Sequence, residues 1–448
     1  MATTDVQDPI SMDDVPLSRF HMKLFFCSAG CPLVDGYALG IIAVALAQMQ
    51  KFVELSALMS ALIGMATLCG MFIGSLIGGQ LTDLIGRRKM FIIDFAVITT
   101  VCIVGFFFTD PLIVFIFRIL LGVATGADYP VAGPYLTEFI PRSKRGSLVG
   151  TLNAFWYIGY AAAFVIGYFM LGIGETAWRW MLLTPGILSG IWLIERCQAP
   201  ESPRWLMSKG RDADAQKILT KIGPNVVLPE HDDHDGDDKP RVRLADIFRN
   251  GSGKWVFFVA AFWSLQVLPT FGIGTYVPII MESMGFAEGN MQYLGSALMN
   301  VFYLLGLVPV FFLMDTLGRR LTMIWAFAIS GAALFVLAAT SHLNMPFWFI
   351  LVVFIIYGAF NVSMGAHQWI YPNELFPTHI RGTASGFCTA VSRIVSAVGT
   401  FLFPFVMNRF GIAATLGICG GLFMIGLVLS IIMAPETRNM NLADSTHL

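Results

Sequence analysis

Polar positions in this chain gather into short clusters, with long apolar runs between them. Twelve runs approach or exceed the roughly 20 residues that a helix needs to cross a hydrocarbon layer about 30 Å thick. They are 22–48, 56–81, 90–108, 111–137, 147–171, 178–195, 255–281, 292–314, 321–340, 346–370, 384–408 and 413–433. The runs are too long for barrel strands, and lipid offers an open backbone no hydrogen-bond partner, so each is predicted to be a helix. The prediction is an all-α membrane protein with twelve transmembrane helices. The stretch before His21 carries Asp5, Asp8, Asp13 and Asp14, which is the wrong charge for a signal peptide, so the first span is expected to be retained.

Composition supports this reading. The 448 residues are 56% apolar and only 13% charged, with a mean hydropathy of +0.71. Soluble chains carry about 25% charged residues, so an ordinary soluble enzyme is excluded. A net charge of −1 leaves no basic surface for nucleic acid. The cysteine count is odd, and Cys27, Cys31, Cys69, Cys102, Cys388 and Cys419 lie in apolar runs, which points to buried free thiols rather than a disulfide framework.

Lys51, Arg179 and Arg409 lie at one set of span ends, and Arg118 and Arg393 lie inside spans. The remaining Lys and Arg fall on the opposite side, which the positive-inside rule makes cytoplasmic, together with both termini. The long interruption at 197–254 is then a cytoplasmic linker between domains at 1–196 and 255–448. It holds a surface-helix candidate at Arg211–Lys221 and a polar stretch from His231 to Lys239. A metal site from His231 and His234 is conceivable there, but a solvated tether explains the composition better. No metal or cofactor is expected.

The two domains repeat each other. Asp83-Leu-Ile-Gly-Arg87-Arg88 follows span two, and Asp315-Thr-Leu-Gly-Arg319-Arg320 follows span eight. Glu138-Phe-Ile-Pro-Arg-Ser-Lys-Arg145-Gly follows span four, and Glu374-Leu-Phe-Pro-Thr-His-Ile-Arg381-Gly follows span ten. Pro200-Glu201-Ser202 follows span six, and Pro435-Glu436-Thr437 follows span twelve. Three paired motifs in the same order imply two pseudo-symmetric six-helix bundles. The run Gly78-Gly-Gln-Leu-Thr-Asp83-Leu-Ile-Gly-Arg87-Arg88-Lys89 resembles the signature loop of the major facilitator superfamily. Pro200-Glu201-Ser-Pro-Arg204-Trp-Leu206 and Pro435-Glu436-Thr437 resemble the motifs that close each half in its sugar-porter-like branch. Within that branch the chain is similar to bacterial metabolite:proton symporters, with kinship to organic-ion transporters. The resemblance implies a monomeric carrier in the cytoplasmic membrane that uses the proton gradient and no cofactor.

Each motif sets a carboxylate near a guanidinium. Asp83 with Arg87, Glu138 with Arg145 and Glu374 with Arg381 are candidate pairs of a cytoplasmic gate, joined by Arg88, Glu201, Arg204, Asp315, Arg319 and Glu436. Exposed pairs are worth about 0–1 kcal/mol each, which suits a gate that must open. Simple positive-inside anchoring is the plainer alternative. Asp94 is a further candidate for this network.

Charges inside spans are costly and therefore mark candidate sites. Counting 1.5 Å per residue sets Asp35 and Arg118 at the same depth, roughly 10 Å below the outer surface. The superfamily arrangement makes their helices neighbours, so the pair is expected to form a proton switch: Asp35 ionised beside Arg118, and protonated once they separate. A static ion pair is the alternative. Arg118-Ile-Leu-Leu-Gly-Val-Ala-Thr-Gly126 resembles the fourth-helix pattern of such symporters, and its glycines suit close packing rather than a phosphate cradle. Asp128, deeper in the same helix, is a candidate relay, gate or cap, and His367 a gate or packing residue.

Arg393 stands near the midplane, and Ser392-Arg393-Ile-Val-Ser-Ala-Val resembles the eleventh helix of organic-anion transporters. No carboxylate of the second half shares its depth, so an anionic substrate is the expected partner. Tyr37, Trp156, Tyr160, Gln266, Asn300 and Asn361, with Phe271 and Tyr303, are candidates to line the substrate cavity or to form helix contacts. Aromatic-acid symporters often carry an Asp where this chain has Ala38, which argues against a simple aromatic-acid assignment. The expected function is proton symport of a small organic anion. A sugar or polyol symporter with a structural Arg393 is the second reading, followed by an exporter and, from another class, a transport-dead sensor. A membrane enzyme lacks a catalytic constellation.

Overall fold

The computed structural model describes residues 10–223, 225–227, 247–248, 252–286, 290–343, 345–376 and 378–437. His231 and His234 lie outside them. Six long helices come first: α1 (Arg19–Phe52), α2 (Ala57–Ile85), α3 (Arg87–Gly105), α4 (Pro111–Phe139), α5 (Arg142–Met170) and α6 (Ala177–Cys197). Two short ones follow, α7 (Pro203–Ser208) and α8 (Asp212–Ile222), the latter matching the surface helix expected in the linker. The second half holds α9 (Ser252–Ser283), α10 (Met291–Leu317), α11 (Arg319–Thr340), α12 (Phe347–Leu375) and α13 (Thr378–Met433). Gly411, at φ 78° and ψ 171°, breaks α13 into two spans. The described residues thus hold twelve membrane-length helices in two six-helix bundles, as the apolar runs predicted. Large apolar side chains such as Phe169, Trp348 and Ile432 face outward, as a lipid-facing surface requires.

The helices outrun the apolar segments at the end that carries the duplicated motifs. Glu138 closes α4 and Glu374 closes α12, while Arg87 opens α3 and Arg319 opens α11. The chain turns between helices at Gly86 (φ 102°) and Gly318 (φ 92°), in a region that glycine enters without steric cost. Within the first half, α2 packs on α4 and α1 on α5; α10 on α12 and α9 on α13 repeat the arrangement. Across the halves, the α2–α13 contact is matched by α5–α10. Glycine makes the α2–α4 approach possible. A Cβ on Gly122 would lie 2.2 Å from the Thr67 carbonyl oxygen, and one on Gly126 2.3 Å from that of Met71.

Each half ends in the same clamp. The Arg88 N–H donates to the Glu201 carboxylate (3.0 Å), and the Arg320 N–H donates to Glu436 (3.1 Å). The Arg88 guanidinium donates to the Cys197 carbonyl and that of Arg320 to the Ile431 carbonyl. Tyr135 donates to the Pro200 carbonyl (2.7 Å) and Tyr371 to that of Pro435 (3.0 Å). Arg87 pairs with Glu138 at 3.4 Å and Arg319 with Glu374 at 3.7 Å. These pairs join helices of one half, whereas the sequence placed Glu138 with Arg145 and Glu374 with Arg381. The side chains of Asp83, Arg145, Asp315 and Arg381 lie outside the described residues. His367 packs within its half, between Thr322 and the Ser363 and Arg319 carbonyls.

Two features escaped the sequence reading. Strand β1 (Ile10–Ser11) pairs in parallel with β2 (Val226–Val227), and Asp13 beside it pairs with Arg204 at 3.6 Å. Arg196, counted from sequence as one more cytoplasmic cation, is fully buried at the end of α6. Its guanidinium grips both oxygens of Asp128 (2.7 and 3.1 Å), donates to the Phe91 carbonyl, and lies over the rings of Phe91 and Phe95. Asp128 is therefore tied into an ion pair that braces α3, α4 and α6 together.

Removing one member of a buried pair strands the other charge, at a cost of about 3–5 kcal/mol. Asp128→Ala should lower the unfolding temperature of the purified protein markedly. Replacing both Asp128 and Arg196 with Leu should recover most of that loss. Equal instability of the single and double variants would argue against the pair.

Candidate functional site

The halves meet at the end away from the motifs. The Tyr276 hydroxyl donates to the Ser60 carbonyl (3.2 Å), and the Lys51 ammonium sits 5.1 Å from the Tyr293 ring centre. Between the halves lies a cavity that opens to solvent, with room for water over about 120 Å³. Trp156, Tyr160, Gln266, Phe271, Asn300, Tyr303, Asn361 and Arg393 line it, as the sequence predicted. Tyr129, Asn153, Tyr157, Trp263, Thr270, Tyr357 and Gln368 join them. Tyr37 does not. It is buried against α6, with its hydroxyl donating to Thr184 (2.9 Å) inside the first half, because it sits two residues beyond Asp35 on a different face of the helix.

Asp35 is fully buried. Gly36 beside it lets the α5 backbone close in, since a Cβ there would lie 2.0 Å from the Trp156 carbonyl oxygen. That approach brings Trp156 Nε1 to 2.7 Å from Asp35 Oδ2, as a donor. The Tyr129 hydroxyl donates to the same oxygen at 2.5 Å. Tyr129 accepts in turn from Arg393 Nη2 at 3.3 Å, and the guanidinium carbon stands 5.4 Å from its ring centre. A carboxylate and a guanidinium from opposite halves are thus joined through one phenol.

This corrects the expected Asp35–Arg118 pair. No hydrogen bond or ion pair joins the two, and Arg118 is buried with its Nε and Nη2 atoms unpartnered. Tyr129 lies 11 residues after Arg118, which is three helical turns and returns to nearly the same face. Direction along the helix decides between them. Side chains lean toward the N-terminus of their own helix. The start of α1 meets the end of α4 at Phe20 and Phe139, so the helices run oppositely. Asp35 leans toward the motif end and Arg118 away from it, while Tyr129 leans up to meet the carboxylate. Residue counting fixed depth at Cα and missed that lean. The same geometry overturns the argument that Arg393 lacks an acidic partner: Asp35, in the other half, answers it through Tyr129.

The opposite wall is amide-rich. Gln368 Nε2 donates to Gln266 Oε1, and Gln266 Nε2 donates to Asn361 Oδ1, each at 2.6 Å. Asn361 Nδ2 donates to Thr270 Oγ1 at 3.0 Å. Trp156 and Tyr160 stack with ring centres 5.1 Å apart. Such a wall can read hydroxyl and carbonyl groups, while the aromatic surface covers an apolar face. Tyr129 was legible in principle, as a polar aromatic on the Arg118 face, but the charge of Asp128 beside it drew the assignment.

The sequence comparisons agree with this architecture. The family model for sugar (and other) transporters matches residues 24–447. The chain is 36% identical over 444 residues to YaaU of Escherichia coli, a metabolite transport protein by description only, covering 99% of this chain and 98% of that one. It is 34% identical to the inner membrane metabolite transport protein YgcS of the same organism, over 97% of this chain and 96% of that one. The xylose transporter XylE from E. coli, in a partially occluded inward-open conformation, superposes with a TM-score of 0.80 at 21% identity, over 95% of this chain and 100% of that one. The chain belongs to the sugar (and other) transporter family of the major facilitator superfamily.

Proposed function

We propose that this transporter carries a small organic anion into the cell together with a proton, by alternating access of the central cavity. The observation that supports it most directly is the Asp35–Tyr129–Arg393 chain across the two halves. With Asp35 ionised, the Arg393 charge is answered through Tyr129. A proton arriving on Asp35 neutralises the carboxylate and frees the still-charged Arg393 guanidinium for an anion in the cavity. Proton and anion therefore enter as a neutral pair, and the empty carrier returns with the chain restored. The motif end is cytoplasmic in this reading, both termini lie on that side, and the carrier acts as a monomer in the cytoplasmic membrane. The two end clamps keep each half rigid while the halves rock.

A neutral sugar or polyol is the second reading. It is favoured by the existing partners of Arg393, by the amide wall and by relatives that include the arabinose-proton symporter of Bacillus subtilis. The relatives also include the niacin transporter NiaP of Acinetobacter baylyi.

A thermal-shift panel of purified protein with benzoate, gluconate, D-xylose and D-glucose separates the readings. Stabilisation by an acid, weakened about tenfold or more in Arg393→Ala and partly kept in Arg393→Lys, is expected. Stabilisation by sugars alone would overturn the anion reading. Asp35→Asn in proteoliposomes should lose gradient-driven accumulation yet retain exchange of labelled substrate, and accumulation that survives would remove Asp35 as the carrier. For orientation, an impermeant maleimide on intact cells should label a cysteine-free protein bearing Gly285→Cys. One bearing Asp235→Cys should react only after permeabilisation, and labelling before it would invert the topology.

A further inference from the structure

On α10, which lines the cavity along with the α13 helix that carries Arg393, two buried polar atoms have no hydrogen-bond partner: Asn300 Oδ1 and the Tyr303 hydroxyl. Asn300 is 2% exposed, and its Nδ2 donates to the Ser296 carbonyl at 2.8 Å. A carbonyl only accepts, so that bond fixes the amide orientation and leaves Oδ1 as a pure acceptor. The Tyr303 ring is held in place against Gly358, where a Cβ would lie 1.5 Å from Tyr303 Cε1. Neither group is free to turn away from the cavity and find another bond.

A buried acceptor without a donor is costly, so the wall is built for something that donates. A carboxylate cannot, because it only accepts. An ammonium group is excluded by its surroundings: no Asp or Glu lines the cavity among the described residues, and Arg393 would repel a cation. The Tyr303 O–H can itself donate, so the demand for a donor rests on Asn300 Oδ1, and a neutral O–H or N–H group meets it. A substrate hydroxyl satisfies both residues at once, accepting from Tyr303 while donating to Asn300. Trp156 and Tyr160, also in the cavity lining, add stacked aromatic surface that suits the face of a ring.

We infer that the substrate is a hydroxylated ring acid, with its carboxylate at Arg393 and a hydroxyl donating to Asn300 Oδ1 beside Tyr303. This rests on the anion reading of Arg393 and adds the second recognition point. The shared chemistry has two sources, a pyranose acid and a hydroxylated aromatic acid. A plain sugar leaves Arg393 without its anion, and a plain ring acid leaves Asn300 without its donor.

The test is calorimetric binding to the purified full-length protein with four probes: D-glucuronate, D-glucose, 4-hydroxybenzoate and benzoate. At least one hydroxylated acid should bind, more tightly than its counterpart lacking hydroxyl or carboxylate by about tenfold or more. Whether glucuronate or 4-hydroxybenzoate binds identifies the source. Asn300→Leu should reduce the preference for 4-hydroxybenzoate over benzoate, or weaken glucuronate alone, by a similar factor. Tyr303→Phe, which keeps the ring and its packing, should do so in part and stands in if Asn300→Leu fails to fold. Equal binding of 4-hydroxybenzoate and benzoate, both lost in Arg393→Ala, would overturn the hydroxyl inference and leave the anion reading standing. Binding of D-glucose as tight as D-glucuronate and unchanged by Arg393→Ala would overturn both. Failure of both hydroxylated acids to bind at millimolar concentration would overturn the inference.

Discussion

A carboxylate carried to the middle of a membrane helix has left behind the water that would stabilise it, and the site is organised around meeting that deficit at Asp35. Two neutral donors, the Trp156 indole and the Tyr129 phenol, reach one of its oxygens, while the other oxygen has none. The nearest answering charge, Arg393, comes from the other half of the molecule and acts through the phenol. A salt bridge made directly would be tighter and harder to break. Passing through a hydroxyl leaves the attraction weaker, and in the proposed cycle a single proton on Asp35 reverses it.

The strong interactions sit elsewhere. Asp128 and Arg196 make a two-point contact in a fully buried setting, and it ties three helices of one half. The glycine contacts of α2 with α4, and of α1 with α5, bring backbones within reach of each other and leave no space for sliding. At the motif end, Glu201 and Glu436 accept backbone N–H groups at the starts of α3 and α11, where a carboxylate also suits the helix dipole. Rigidity is thus concentrated inside each half, and the softer links lie between them. That distribution favours motion of whole bundles over motion of single helices.

The architecture was legible because lipid enforces it: apolar run length gives the spans, and the motif repeats give the halves. Part of the cavity lining was legible too, since polar and aromatic residues such as Gln266, Asn300 and Trp156 are conspicuous in an apolar span. The pairing of charges was not. Arg196 looked like one more basic residue at a span end, yet the helix runs two residues further and buries it against Asp128. Arg118 and Tyr129 share a face of α4, and only the lean of side chains along antiparallel helices decides which one Asp35 meets. Tyr37 fails for a related reason, because two residues along a helix turn a side chain through more than half a circle. The β1–β2 pairing joins residues far apart in sequence through two short segments that carry no strand signal of their own.

That small pairing bears on how such a molecule can arise. Ile10 and Val226 stand side by side, so the segment before α1 lies against the linker that follows the first six helices. A unit whose two ends adjoin can be copied in tandem without a long connection, because the second copy starts from the place where the first did. The short strand pair, slight as a source of stability, holds the approach to the first bundle beside the linker that leads to the second.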